Sequence, residues 1–280
     1  RKTECLLRYI MILKDIINKS YYGTVNYVHN KESLEVLERY IKFNLSVLKE
    51  YKGIIIATNY SDLGLAIKNA QLWQKYFPKC TIIDLPENRG HSFGTADLDD
   101  ALFNYCKTNN IKWLCKTSSD IILESTILNI PIQEANFYYL NGIGLGGMVK
   151  YEYDNTRIIN ENFFPQTNFY LINVSKTDYL NDKEYIEKTY NEIQQIPPQV
   201  YQKLHQGKPW AVFPGWACER FLSNCVERNK LSKYHLIPNN KYISLLNLIK
   251  NEQIHDCSHK NIMIEGICHF HNLNQKIIKL

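Results

Sequence analysis

Apolar positions in the first half of the chain switch repeatedly between two periods. Between Ser33 and Lys49 they fall at 34, 37, 41, 45 and 48, a single stripe along a helix. From Leu63 to Phe77 they fall at 63, 66, 67, 70, 73 and 77, helical again, with Pro78 as the stop. Leu98, Ala101, Leu102 and Tyr105 predict a third helix over Ala96 to Asn109. Between these stretches lie short β-leaning or apolar runs: Gly23 to His29, Gly53 to Thr58, Cys80 to Leu85 and Lys112 to Thr117. Strands of this kind alternating with amphipathic helices predict a parallel sheet with right-handed crossovers, covered on both faces. The expected class is α/β, a Rossmann-type, mostly parallel central sheet flanked by helices. Ligands bind such sheets beyond the carboxyl ends of the strands, so the loops starting at His29, Asn59, Glu87 and Ser118 are expected to line one cleft.

The second half is less regular. Phe137 to Leu140, Leu145 to Lys150 and Asn168 to Asn173 read as strands, and Asp182 to Gln195 and Trp216 to Asn229 as helices. This predicts a mixed sheet that extends the first, with a lid. The character changes near residue 150. With 280 residues, no repeats and no long linker, one domain over 1–280 is expected, with halves at about 22–150 and about 151–280.

Composition narrows the function. Apolar residues at 45% against 22% charged, with 12 Gly and 9 Pro, exclude a disordered or collagen-like chain. A net charge of +5 suits a small anionic ligand but is too weak and dispersed for nucleic acid. No apolar run is long enough to span a bilayer, and the best of them, Leu6 to Leu13, is broken by Arg8 and reads as a core helix. The eight cysteines contain no CxxC pair and read as buried thiols of a reducing compartment, so a cytoplasmic location is expected. The first residue is Arg, so a lost upstream anchor and a Golgi-type lumen form the alternative. Three Asn-x-Ser triplets, at Asn44, Asn59 and Asn173, also point that way.

Two loops carry candidate chemistry. In Glu87-Asn-Arg-Gly-His-Ser-Phe-Gly-Thr-Ala96, Gly90 and Gly94 allow backbone amides to approach a ligand, the following helix start favours negative charge, and Arg89 offers a two-pronged grip on a diphosphate. Lys116-Thr-Ser-Ser-Asp120 places a carboxylate at the carboxyl end of a buried strand, where a hard divalent cation would seek it. Each loop also has a plainer reading, as a strand-to-helix turn and as a helix N-cap.

Asn59-Tyr-Ser-Asp62, Glu87-Asn-Arg-Gly90 and Ser118-Ser-Asp120, in this order after successive strands, resemble the loops of GT-A glycosyltransferases, in particular the large nucleotide-sugar-dependent family 2 type. The likeness covers roughly residues 22 to 125, with scattered motifs beyond, and the Glu87–Gly90 loop is its most specific element. It implies a GT-A-like fold whose first half binds the nucleotide sugar and whose second half serves the acceptor and catalysis. It further implies that His29, Asn59, Ser61, Asp62, Arg89, Gly90 and Ser118 hold the nucleotide and its diphosphate. Asp120 stands at the family's DxD metal motif, with one acid in place of two.

Later segments extend the resemblance. Gly142-Ile-Gly-Leu-Gly-Gly147 looks like the loop beneath the donor sugar, with Gly146 and Gly147 nearest it. The strand-like Met148 to Tyr153 that follows argues against a dinucleotide loop. Pro214 to Leu222 looks like the xED segment, with Arg220 at the second acid, which moves the catalytic base of an inverting reaction to Glu219. Near the end, Glu265-Gly-Ile-Cys-His-Phe-His271 offers His269 and His271 as metal ligands beside Asp120. A mixed Asp/His set favours Mn2+ over Mg2+. A zinc site drawn from His255, Cys257, His259, Cys268, His269 and His271 matches no common spacing. Gln166 and Trp216 are the acceptor candidates, for hydrogen bonding and for stacking on a sugar ring. The expectation is a metal-assisted, inverting glycosyltransferase that uses a UDP- or GDP-type nucleotide-sugar donor and a glycan or other hydroxyl acceptor. The alternatives are a catalytically inactive nucleotide-sugar or glycan-binding module and, less favoured because His29 to Ser33 lacks glycine, a nucleotidyltransferase.

Overall fold

The computed structural model describes residues 11–60, 62–118, 121–123, 125–141, 165–195, 197, 217–236, 262–264 and 267–269. After a short helix α1 (Leu13–Ile17), strands and helices alternate: β1 (Tyr21–Val28), α2 (Lys31–Leu48), β2 (Gly53–Tyr60), α3 (Leu63–Tyr76), β3 (Thr81–Leu85), α4 (His91–Thr108) and β4 (Trp113–Ser118). Then follow β5 (Ile121–Leu123), β6 (Phe137–Asn141), β7 (Pro165–Asn173), α5 (Lys183–Gln194), α6 (Ala217–Arg228), β8 (Lys233–His235), β9 (Ile262–Ile264) and β10 (Ile267–His269). The strands form a seven-stranded sheet in the order β3-β2-β1-β4-β7-β6-β8 and a three-stranded sheet in the order β5-β10-β9. In the large sheet every neighbouring pair is parallel except those involving β7, which runs against β4 and β6. Strands from before and after residue 150 thus share one mostly parallel sheet.

Alternation along the strands sends side chains to two cores. On one face Tyr22, Ile54, Ile56 and Cys115 pack with Leu37, Tyr40 and Ile41 of α2 and Trp73 of α3. On the other, Val25, Ile55, Ala57 and Leu114 pack with Leu98, Leu102 and Cys106 of α4 and with Leu222, Cys225 and Val226 of α6. Gly23 permits the second contact, because a Cβ there would lie 2.7 Å from Leu114 Cδ1 and 3.2 Å from Leu102 Cδ1. Near the carboxyl ends of β1 and β2 a polar relay ties α3 to the sheet. Asn26 donates to Asn69 Oδ1 at 3.0 Å, and Asn69 donates to Thr58 Oγ1 at 3.1 Å.

Helix starts follow capping chemistry. Asn30 accepts from the Ser33 amide at 2.8 Å, and Asp62 accepts from the Leu65 amide at 3.0 Å. The start of α4 differs from the predicted Ala96: Gly90, at φ 88°, turns the chain into a helix that already includes His91. His91, Ser92, Gly94 and Thr95 contribute nothing to an apolar stripe, so the periodicity misses that first turn. β2 runs two residues beyond the predicted Thr58, because Asn59 and Tyr60 continue the ladder opposite Tyr27 and Val28. The described part of the predicted Leu6–Leu13 helix is not helical before Leu13: Ile12 instead bridges antiparallel to Pro131. The predicted strand over Leu145 to Lys150 lies outside the described residues. No helix among the described residues is long and apolar enough to cross a membrane.

Candidate functional site

The order of the large sheet reverses between β1 and β4: the chain moves outward through β2 and β3 on one side and through β4 on the other. In open α/β sheets this switch point opens a crevice at the carboxyl ends of the strands. Register and alternation place two expected positions there, Asn59 and Ser118, on the α4 side. Tyr27 of β1 stands beside Asn59 of β2, and Val25 beside Ser118 of β4. Ser118 Oγ lies 3.2 Å from Asn168 Oδ1 of β7. Asn59 is 2% exposed and its Oδ1 meets no hydrogen-bond partner among the described residues. Ser118 and Asn59 are the last-turn residues of strands rather than the first residues of loops, as the sequence predicted.

The first turn of α4 closes the group. A Cβ at Gly94 would lie 2.9 Å from Asn88 Oδ1 and 3.5 Å from Asn59 Nδ2, so glycine lets both amides sit against the helix start. Asn88 Oδ1 also accepts the Gly90 amide at 2.9 Å. At the outer edge Tyr27 is exposed and its ring stacks on exposed His29, with centroids 5.5 Å apart and planes 17° apart. Such an arrangement offers amide groups and a flat aromatic face to a planar, hydrogen-bonding ligand.

Arg89 lies at this edge, but its guanidinium is not presented free to a diphosphate. It is bidentate to Asp97, Nε donating to Oδ2 at 2.8 Å and Nη2 to Oδ1 at 2.5 Å, while Nη1 donates to Glu187 of α5 at 2.7 Å. Tyr190 covers it at 4.9 Å, and its side chain is 10% exposed. The Asp97 carboxylate, foremost, holds the guanidinium even more firmly charged than usual. One cation between two carboxylates gives this corner no net positive charge, which corrects the expectation of an electropositive grip. Asp62 is likewise committed by one oxygen to capping α3.

α6 approaches the same edge. Phe221 meets Phe93 of α4 at 6.4 Å and Tyr185 of α5 at 5.9 Å, so the start of α6, with Glu219 in its first turn, packs beside the start of α4. Glu219, Gln166 and His269 are described as backbone positions on α6, β7 and β10. Ser61, Asp120, Gly146, Gly147, Trp216 and His271 lie outside the described residues.

Beneath the crevice is an ionic group that the motifs did not reveal. Lys116 is fully buried on β4; its Nζ pairs with Asp99 of α4 at 3.2 Å, donates to the Thr167 carbonyl and lies 5.9 Å from the Tyr170 ring. Next to Asp99, burial pushes the Asp100 carboxyl up to about 7, helped by the Asp99 charge, although the Asn181 amide donates to it at 3.2 Å. The sequence signal was present: a lysine inside the apolar run Trp113-Leu-Cys-Lys-Thr117 and an acid pair within a helix.

No protein-family model and no curated protein matches this sequence.

The three-stranded sheet bears on the metal expectation. β10 runs antiparallel to β5 with His269 opposite Ile121, the residue after Asp120. Directly opposed residues of such a ladder have Cα atoms about 4.5–5.5 Å apart. Among the described residues no group of three His, Cys, Asp or Glu side chains is placed to hold a metal ion. Burial pushes the Cys106, Cys115 and Cys225 thiols up to about 12, which leaves them inert. Asn44, Asn59 and Asn173, the asparagines of the three triplets, are all buried. A fourth triplet, Asn18-Lys-Ser20, escaped the sequence reading and has an exposed asparagine.

Proposed function

We propose that this protein is a GT-A-type glycosyltransferase that moves a sugar from a UDP- or GDP-type nucleotide sugar to a hydroxyl group of a glycan or other acceptor, with inversion. The observation that carries the reading is that Asn59 with Asn88 and Gly94 on one side of β1, and Ser118 with Asn168 on the other, lie at the carboxyl end of the same sheet face, from segments far apart in the chain. These groups suit a neutral, polar ligand part, a nucleobase or ribose, with Tyr27 and His29 as a stacking surface. Gly90 and the start of α4 lie where an adjoining diphosphate is favoured.

Glu219 takes the proton of the acceptor hydroxyl as its oxygen attacks the anomeric carbon from the face opposite the departing diphosphate. Asp120 with His269 or His271 would hold a divalent cation, Mn2+ ahead of Mg2+. In the β5–β10 ladder His269 stands opposite Ile121, the residue that follows Asp120 in the chain. When bound, the cation would offset charge on the leaving diphosphate. Gln166 and Trp216 serve the acceptor. The Arg89–Asp97–Glu187 corner, which has no net positive charge, and the single acid at the metal motif favour a second reading, a module that binds a nucleotide sugar without turning it over.

The test is a thermal-shift and turnover screen of UDP, GDP and their sugars, with and without Mn2+. Binding raises the melting temperature, by mass action on the folded state. Turnover that is lost in Asp120→Ala and Glu219→Ala supports the enzyme. Binding without turnover in the wild type selects the module. A chain that neither binds nor hydrolyses any common nucleotide sugar with Mn2+ present refutes both.

A further inference from the structure

The two edges of the large sheet are built differently. At one end β8 is three residues long, and its Lys233 pairs with Glu227 of α6 at 2.6 Å. Short length and an edge lysine are common guards against further strand pairing. At the other end β3 runs over Thr81–Leu85 and pairs with β2. Among the described residues its outer side has no backbone partner. Its side chains are also short of cover. Ile55, Ile56 and Ala57 of β2 have no exposure, whereas Ile82, Ile83 and Leu85 beside them are only half-buried. An open row of N–H and C=O groups flanked by half-covered apolar side chains is a template for another strand.

Symmetry and charge together select the strand that fits. A two-fold axis perpendicular to a sheet sets two copies of one strand antiparallel and keeps every side chain on its own face. Full overlap of the five residues puts that axis at Ile83. Ile83 then faces Ile83, and Thr81 faces Leu85, on the α4 side, while Ile82 faces Asp84 on the other. The two Asp84 carboxylates avoid direct opposition, which would be destabilising. Just outside the strand, exposed Lys79 of each copy falls beside exposed Glu87 of the other, so two opposite-charge pairs flank the axis. Neighbouring registers lose this match. An axis at Asp84 opposes the two acids and sets Lys79 toward Arg89, and an axis at Ile82 sets Lys79 toward Leu85.

We propose that β3 is a dimer interface: it pairs antiparallel with β3 of a second copy about a two-fold axis at Ile83, giving one continuous sheet flanked by Lys79–Glu87 pairs. An interface built on one short strand is small, so the dimer is weak and depends on concentration.

Sedimentation equilibrium over a wide concentration range tests this on the full wild-type chain, Lys79→Glu, Glu87→Lys and the double variant. The wild type is expected to associate reversibly, with a dissociation constant of about micromolar or weaker. Each single reversal turns both attractive pairs repulsive and is expected to weaken the dimer about fivefold or more, and the double reversal to return it to within about twofold of wild type. Both positions are exposed, so the melting temperature is expected to stay unchanged. Ile83→Cys supplies a geometric readout. A residue on the axis opposes itself with Cα atoms about 4.5–5.5 Å apart, within reach of a disulfide. Mild oxidation is expected to cross-link Ile83→Cys, but neither Ile82→Cys nor the wild type. A wild type that stays monomeric throughout, a dimer indifferent to the charge reversals, or equal cross-linking from positions 82 and 83 overturns the inference.

Discussion

Asp100 shows how a single residue here departs from its ordinary chemistry. Its carboxyl titrates at about 7 in the folded protein, because it is buried and adjoins Asp99, against about 3.9 in an unfolded chain. Between those values the folded state holds a proton that the unfolded state has released, so stability falls as pH rises from about 4 to about 7. Asparagine at this position keeps an acceptor for the Asn181 amide and removes the charge. Asp100→Asn is expected to stabilise the protein at pH 8 by on the order of 1–2 kcal/mol, and to leave it unchanged below pH 4. Urea denaturation across that range measures it, and an unchanged pH dependence would count against the burial argument. Lys116 poses the opposite case. Its charge is matched by Asp99, and removing one partner of a buried pair leaves the other stranded. The letters showed a lysine in an apolar run and an acid pair, but not their pairing, because burial of a charge is a tertiary fact.

At the scale of elements, the helices and strands of the first half were legible because their apolar periods are long and regular. The misses occur where local chemistry overrides period: the Gly90-led turn of α4, the polar end of β2, and strands of three residues that are too short to have a period. The corner where α5 meets α4 depends on charges of unequal worth. Asp97 grips the largely buried Arg89 with two hydrogen bonds, whereas Glu187 reaches it from a side chain 55% exposed. Glu187→Gln is expected to change stability by less than about 0.5 kcal/mol, and Asp97→Asn to cost about 1–3 kcal/mol. Paired chemical denaturation curves separate the two. Equal costs would mean that α5, rather than the loop-to-helix contact, carries the corner.

For the whole molecule, the mostly parallel sheet and its switch-point crevice followed from the alternation of β and α segments. The placing of Asn59 and Ser118 at the same end of the sheet, on either side of β1, followed from strand order. What letters could not convey was commitment. Arg89 reads as a free cation in the sequence and is tied to two carboxylates in the fold, while Asn44 reads as a modification site and is an internal brace, bonded through its amide to Ile121 and Leu123. The large sheet begins with β1 to β4, contiguous in the chain. The three-stranded sheet joins β5 to β9 and β10 across most of its remaining length. Long-range pairings close late, because chain entropy must be overcome before they contribute. Pulsed hydrogen-exchange labelling during refolding is expected to find β1, β2 and β4 protected before β5 and β10, and simultaneous protection would refute that order.

The pairing of β5 with β10 also matters during synthesis. While the polypeptide is still being made, the segments that form β1 to β4 emerge early, but the strand that brings His269 alongside Ile121 has yet to be translated. A nascent chain is therefore able to assemble the β1–β4 layer before the three-stranded sheet can exist, and a ribosome-bound intermediate carries the first without the second.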